Sequence, residues 1–199
     1  MIVVGISGAS GPIMGIRLIE ELLLLNEDVM AVVSPAARQI IMHEILRPDT
    51  PFTGIRNIIK QRNRVPDLGR LKEFDNSDFF APVASGTAGF EAVVVVPCSM
   101  KTMAAIAAGY ADTLINRACD VALKEKRRCL IVPRETPLNL IHLKNMYKVA
   151  KAGVEVLPPV PGFYTRPKTV EDVVDFIVGK ILNLLGRKHS LFNEWGTES

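Results

Sequence analysis

Short, continuous apolar runs alternate along this chain with stretches whose apolar positions recur every three or four residues. The runs at 1–6, 29–33, 92–97, 128–133 and 154–157 predict strands. The periodic stretches at 12–25, 36–46, 101–109, 113–126, 139–152 and 170–185 predict helices. The segment "VVVVP" at 93–97 is β-branched throughout, as a strand buried on both faces should be. Strands that alternate with helices predict a doubly wound α/β fold with a mainly parallel sheet flanked by helices, in a single domain over 1–186. Ligands of such folds lie at the carboxyl ends of the strands.

Two regions break the alternation. Residues 47–90 are interrupted by Pro48, Pro51, Pro66 and Pro82 and read as a long irregular excursion with one short helix near 54–62. The tail, 187–199, is polar apart from Leu191, Phe192 and Trp195, and is expected to pack at a subunit interface. No internal repeat is present.

Composition narrows the function classes. Hydrophobic residues make up 48% of the chain and charged residues 23%, which is a globular balance. A net charge of +3, with "KEKRR" (124–128) the one basic cluster, argues against a nucleic-acid partner. Apolar runs are too short for a membrane span, and the first strand begins so near Met1 that no signal peptide is expected. Cys98, Cys119 and Cys129 lack metal-ligand spacing, and an odd, scattered set fits a reducing cytoplasm. His43, His142 and His189 are far apart, which predicts neither a metal site nor a Ser-His-Asp triad.

The densest glycine pattern is "GISGASGPIMG" at 5–15, directly after the first strand. It matches neither G-x-G-x-x-G nor G-x-x-x-x-G-K-[ST]. Ser10 stands where a helix N-cap belongs and Pro12 suits the first turn. Gly8 and Gly11 allow a tight turn close to a ligand, and the helix terminus favours an anion. A plain capped turn is the alternative. Ser34, in "AVVSPAAR", ends the second strand and reads first as a cap for the helix at Pro35. In "VVVVPCSMKT", Ser99 and Thr102 offer hydroxyls and Lys101 a charge at a third strand end, with Cys98 expected to be a small buried residue.

Charged candidates concentrate in "LINRACDVALKEKRRCLIVPRETPL" (114–138). Arg117 and Lys124 are two helical turns apart and share a face. Lys124, Lys126, Arg127 and Arg128 also fit a solvated helix end favoured by its dipole. Arg134 and Glu135 follow the strand at 128–133 at its carboxyl end, a place for a ligand or for a surface ion pair. The proline-rich "LPPVPGFYTRP" (157–167) predicts a rigid wall carrying Phe163 and Tyr164. "EDVVD" (171–175) is similar to an acidic magnesium-diphosphate box, but Thr169, Glu171 and Asp172 fit helix capping, so no metal is expected.

The motifs "GISGASG", "SPAAR", "PCSMKT", "RACDVALKEKR", "RETPL" and "PPVPGFYTRP", in this order over roughly residues 1–185, resemble those of flavin prenyltransferases of the UbiX type. The resemblance implies a flavodoxin-like or Rossmann-like, cytoplasmic flavoprotein that assembles as a dodecamer. Its reaction joins a dimethylallyl group from dimethylallyl monophosphate to N5 and C6 of reduced FMN without a metal. The prenylated FMN serves a UbiD-type decarboxylase. Carried over by motif, FMN falls to Gly8, Ala9, Ser10, Ser34, Ser99, Met100, Lys101, Thr102 and Arg134. The donor phosphate falls to Lys124, Tyr164 and Lys180, with Arg117 and Glu135 close by. Ser10 and Glu44 are further polar residues of the family site, and Ser10, Glu44, Arg117, Lys124 and Glu135 are the implied catalytic set. Met14, Pro12 and Lys180 depart from the usual aromatic, small and arginine residues. A lysine at 180 keeps the charge but loses bidentate phosphate recognition.

Two other classes remain open on sequence. One is an FMN-dependent cysteine-type decarboxylase, which needs a mid-chain histidine that segment 45–135 lacks. The other is a non-catalytic flavin-binding partner of a decarboxylase, which would need no second phosphate site.

Overall fold

A computed structural model describes residues 1–193. The chain forms two compact units, the first Met1–Pro158 and the second beginning at Pro159. Residues 194–199, with Trp195 of the expected interface tail, lie outside the described residues.

The first unit is built on six parallel strands: β1 (Ile2–Ile6), β2 (Val29–Val33), β3 (Leu71–Asp75), β4 (Ala92–Cys98), β5 (Arg128–Pro133) and β6 (Glu155–Val156). Their order in the sheet is β3-β2-β1-β4-β5-β6. The six helices of this unit are α1 (Pro12–Leu24), α2 (Pro35–Glu44), α3 (Ile55–Arg62), α4 (Met100–Ala108), α5 (Leu114–Lys124) and α6 (Leu140–Lys151). Strands β1, β2 and β4 are buried at every position, which is why they read as unbroken apolar runs. The chain order reverses between β1 and β4. This switch point opens a crevice at the carboxyl ends of the strands.

The expected irregular excursion is corrected at β3. Leu71–Asp75 pairs in parallel with β2 at the sheet edge, from Leu71 opposite Val29 to Asp75 opposite Val33. Only Leu71 is buried in this strand, and Lys72, Glu73 and Asp75 are exposed. A charged edge strand has no apolar run to announce it, and its charges blunt an edge open to foreign pairing. Without β3, the remaining five strands have the flavodoxin order 2-1-3-4-5; with it, the sheet has the dinucleotide-fold order 3-2-1-4-5-6. The expected short helix is present as α3. Glu73 accepts the N–H groups of Ile55 (2.7 Å) and Arg56 (2.9 Å) at its start.

Helix α1 lies close on the sheet because Gly15 permits it: a Cβ there would stand 2.4 Å from the Val96 carbonyl oxygen. Leu18, Ile19 and Leu22 on this helix are fully buried, each worth about 1.5–3 kcal/mol of burial. Glu20, also fully buried, accepts Arg62 Nε at 2.6 Å and so joins α3 to α1.

In the second unit, a 3-10 turn at Phe163–Thr165 precedes α7 (Val170–Leu184). The Tyr164 ring meets Phe176 edge-on at 5.9 Å, and Phe176 meets Phe192 at 5.0 Å. Thr165 Oγ1 donates to the Gly162 carbonyl at 2.8 Å, which fixes the turn.

Candidate active site

Four loops meet at the carboxyl ends of β1, β2, β4 and β5. Gly8 packs on the first turn of α2, where an added Cβ would stand 2.6 Å from Ala36 Cβ. The Ser34 N–H donates to the Ile6 carbonyl at 3.0 Å, and the Arg134 N–H to the Cys98 carbonyl at 3.1 Å. The buried Ser7 ties β1 to β4: its Oγ donates to the Pro97 carbonyl (3.0 Å) and accepts the Ser99 N–H (2.7 Å). Gly8, Ala9, Ser10, Ser34, Ser99, Met100, Lys101, Thr102 and Arg134 therefore all lie on one connected rim.

The rim exposes helix N-termini. Ser34 caps α2 by accepting the Ala37 N–H at 3.1 Å, as the sequence predicts. Ser99 caps α4 by accepting the Thr102 N–H at 3.3 Å, and its hydroxyl donates to Thr102 Oγ1 at 3.0 Å. The first main-chain bond of α4 is made by the Met103 N–H to the Ser99 carbonyl. The Met100 and Lys101 N–H groups thus precede the intrahelical ladder and suit an anion.

Ser10 is not the cap of α1. Gly11 holds that position with φ of 91° in the left-handed region and no side-chain cap bond, and Pro12 opens the helix. An αL position favours glycine over serine, which moves the cap one residue on. The Gly11 N–H instead donates to Glu44 Oε2 at 2.9 Å. Glu44, at the end of α2, thereby joins the glycine loop and takes the place an anion would occupy there. Met14 is buried on α1.

A second cationic cluster lies elsewhere. Arg117 Nη1 pairs with Asp120 Oδ2 at 2.6 Å, and its Nε donates to the Ala84 carbonyl at 3.0 Å. Lys124 Nζ pairs with Glu125 and lies beside Gly86. Helix α5 starts at the carboxyl end of β3, where Asn76 accepts the N–H groups of Leu114 (2.8 Å, carbonyl) and Ile115 (3.2 Å, Oδ1). It ends at Lys124, just before β5 begins. Arg134 and Glu135 follow the other end of β5, about 17 Å of strand away. The structure therefore does not bring Lys124 together with Arg134 and Glu135 within one chain. Glu135 is exposed, and its Oε1 accepts the Thr136 N–H at 3.1 Å.

In the second unit, Tyr164 and Phe163 are exposed on the proline-rich wall, and Lys180 is exposed on α7. Thr169 caps α7 by accepting the Asp172 N–H at 3.1 Å, and the Asp172 carboxylate accepts the N–H groups of Lys168 (2.7 Å) and Thr169 (2.9 Å). Those bonds hold its pKa below the usual carboxylate value. The capping reading of "EDVVD" is borne out. Among the described residues, no three His, Cys, Asp or Glu side chains converge as a metal site.

The three cysteines, scattered in sequence, are all buried in the core around β4, α5 and β5. Burial pushes the Cys98 thiol up, with Cys129 adding to the effect. A hydrogen bond to Cys129, then burial, does the same for Cys119. Raised thiols are poor nucleophiles, so Cys98 is a packing residue as expected.

Sequence reasoning missed Ser7, whose partners are 90 and 92 residues away. It also missed the loop Ala84–Ala88, which faces the cations of α5. The triplet Ser85-Gly86-Thr87, just before the apolar run of β4, was the available signal. No described helix is long and apolar enough to cross a membrane.

The chain is similar to known flavoproteins along its length. Residues 1–182 match the Flavoprotein family model. The flavin prenyltransferase UbiX of Methanocaldococcus jannaschii is 46% identical over 196 residues, 98% of each chain. A UbiX crystallised with FMN and dimethylallyl pyrophosphate superposes with a TM-score of 0.87 at 38% identity, covering 100% of this chain and 98% of its own. A dodecameric FMN-dependent UbiX-like decarboxylase from Escherichia coli O157:H7 gives 0.84 at 37% identity, covering 98% of both chains.

Proposed function

Because the chain belongs to the UbiX family of flavin prenyltransferases, we propose that it joins the dimethylallyl group of dimethylallyl monophosphate to reduced FMN and passes the product to a UbiD-type decarboxylase. One observation supports the reading: the rim at the switch point is lined by hydroxyls and free amides that suit a phosphate, separate from a cationic cluster on α5. Two phosphate sites suit a phosphorylated flavin and a phosphorylated donor.

The rim fits FMN. The free N–H groups of Met100 and Lys101, the hydroxyls of Ser34, Ser99 and Thr102, and the Arg134 guanidinium are the donors a monoester phosphate takes. Gly8, Ala9 and Ser10 let the backbone come close to the ring system. Bound reduced FMN supplies the N5 and C6 positions that receive the dimethylallyl group. Arg117 and Lys124 hold the donor phosphate and stabilise the charge that grows on it as the C–O bond breaks. Tyr164 and Lys180 are assigned to the same phosphate by the family resemblance. Glu135 delivers a proton to the departing phosphate. The oxygen of Glu44 not engaged by Gly11 takes the proton released when the second bond forms, with the Ser10 hydroxyl as its relay.

Since Lys124 and Glu135 lie at opposite ends of β5, a complete site needs more than one copy of the chain. The dodecameric relative supports this. So do Leu140, Ile141, Leu143 and Tyr147, which α6 leaves exposed. Tests of donor form are direct. With reduced FMN and no oxygen, orthophosphate should appear from dimethylallyl monophosphate in step with flavin consumed. Release of pyrophosphate from the diphosphate alone would reassign the donor, and release of neither would overturn the transferase reading.

A further inference from the structure

The sequence leaves Arg127 among the solvated cations at the end of α5, but its surroundings are not those of a solvated side chain. Arg127 is half-buried, and its guanidinium lies 4.5 Å from the centre of the buried Phe90 ring. Its Nη2 donates to the Gly86 carbonyl at 2.7 Å and its Nη1 to the Ala88 carbonyl. Arg117 Nε takes the Ala84 carbonyl of the same loop. Alternate carbonyls, at 84, 86 and 88, are thus all bound by two arginines. Between them, Ser85 and Thr87 are exposed, and their hydroxyls bond each other at 2.8 Å. A Cβ at Gly86 would stand 2.7 Å from Lys124 Nζ, so the loop backbone runs directly beside that ammonium.

We propose that Arg127 is a positioning residue for the donor phosphate: it holds Ser85-Gly86-Thr87 against α5, so that the two hydroxyls stand beside Lys124 as one anion cradle. The proposal rests on the reading that Lys124 holds the donor. The guanidinium fork spans two carbonyls and lies over the Phe90 ring, which a lysine ammonium cannot reproduce. Loop groups that recognise a phosphate must be held to a fraction of an ångström, and the fork supplies that restraint at the loop's centre and its far end.

The test uses the full chain with reduced FMN. Arg127→Met removes the fork, Arg127→Lys keeps the charge and one contact, and Lys124→Ala checks the underlying reading. Arg127→Met should raise the donor KM about tenfold, the worth of roughly one or two hydrogen bonds. Its kcat should be nearly kept and its FMN Kd should stay within about twofold. Arg127→Lys should fall between Arg127→Met and the parent, and the inhibition constant of inorganic phosphate should rise in the same order. Donor KM and phosphate inhibition unchanged in Arg127→Lys and Arg127→Met, with KM raised in Lys124→Ala, would overturn the role of Arg127. An unchanged KM in Lys124→Ala would overturn the donor reading and this proposal with it. Should Arg127→Met fail to fold, Arg127→Lys decides.

Discussion

At the scale of the residue, the site depends on a few side chains that each join two distant parts of the chain. Ser7 is the plainest case. Its hydroxyl satisfies both the Pro97 carbonyl and the Ser99 N–H, so Ser7→Ala leaves a buried amide without its acceptor. That change should cost about 1–3 kcal/mol in a urea titration and weaken FMN binding as α4 shifts. Glu135→Gln should keep FMN affinity and lower turnover about a hundredfold or more; normal turnover would remove Glu135 from proton transfer. The caps at Ser34 and Thr169 were legible because a cap acts on amides three residues away. The role of Ser7 was not, because its partners are brought near only by the sheet. Ser10 misled because the pattern of a cap was right but Gly11, one residue later, takes the left-handed turn.

At the scale of the element, legibility follows burial. β1, β2 and β4 are buried throughout and were readable as apolar runs. β3 has one buried residue and was not. Its end is held by Asp75, whose pKa is lowered to about 2, first by the Ser77 hydroxyl, then by the Ser77 amide and by Arg38. A carboxyl whose folded pKa lies below its unfolded value of 3.8 stabilises the fold fully above about pH 4. That contribution is lost as pH falls toward 2. Because the carboxylate is half exposed the effect is small. Asp75→Asn should flatten the decline in urea midpoint between pH 4 and pH 2; an unchanged decline would show that Asp75 does not anchor the edge. Gly15→Ala drives a methyl into the Val96 carbonyl and should destabilise by roughly 1–3 kcal/mol, measured by the same titration. At the start of α7, Asp172 is committed to two backbone amides. Turnover should therefore survive a strong chelator, and its loss would return "EDVVD" to the candidate metal sites.

At the scale of the whole molecule, the order of strands and helices carried most of what the sequence disclosed. It predicted the parallel sheet and ligands at the carboxyl ends of its strands, and motif resemblance supplied the family. What it hid was direction: α5 runs from the carboxyl end of the sheet to the amino end, so Lys124 lies far from Glu135 although they are close in sequence. Assembly of several copies, as in the dodecameric relative, would bring the two together. Lys124→Ala and Glu135→Gln, each strongly impaired alone, should regain part of the activity when unfolded and reassembled together, because mixed oligomers contain some intact sites; no recovery would place both residues in one chain's site. Prenyl transfer to flavin is the activity proposed for this chain. It is tested most directly by the mass of the flavin after anaerobic incubation of the protein with reduced FMN and dimethylallyl monophosphate. A flavin heavier by one five-carbon prenyl unit is expected. Unmodified FMN, bound but unchanged with both the monophosphate and the diphosphate donor, would contradict it.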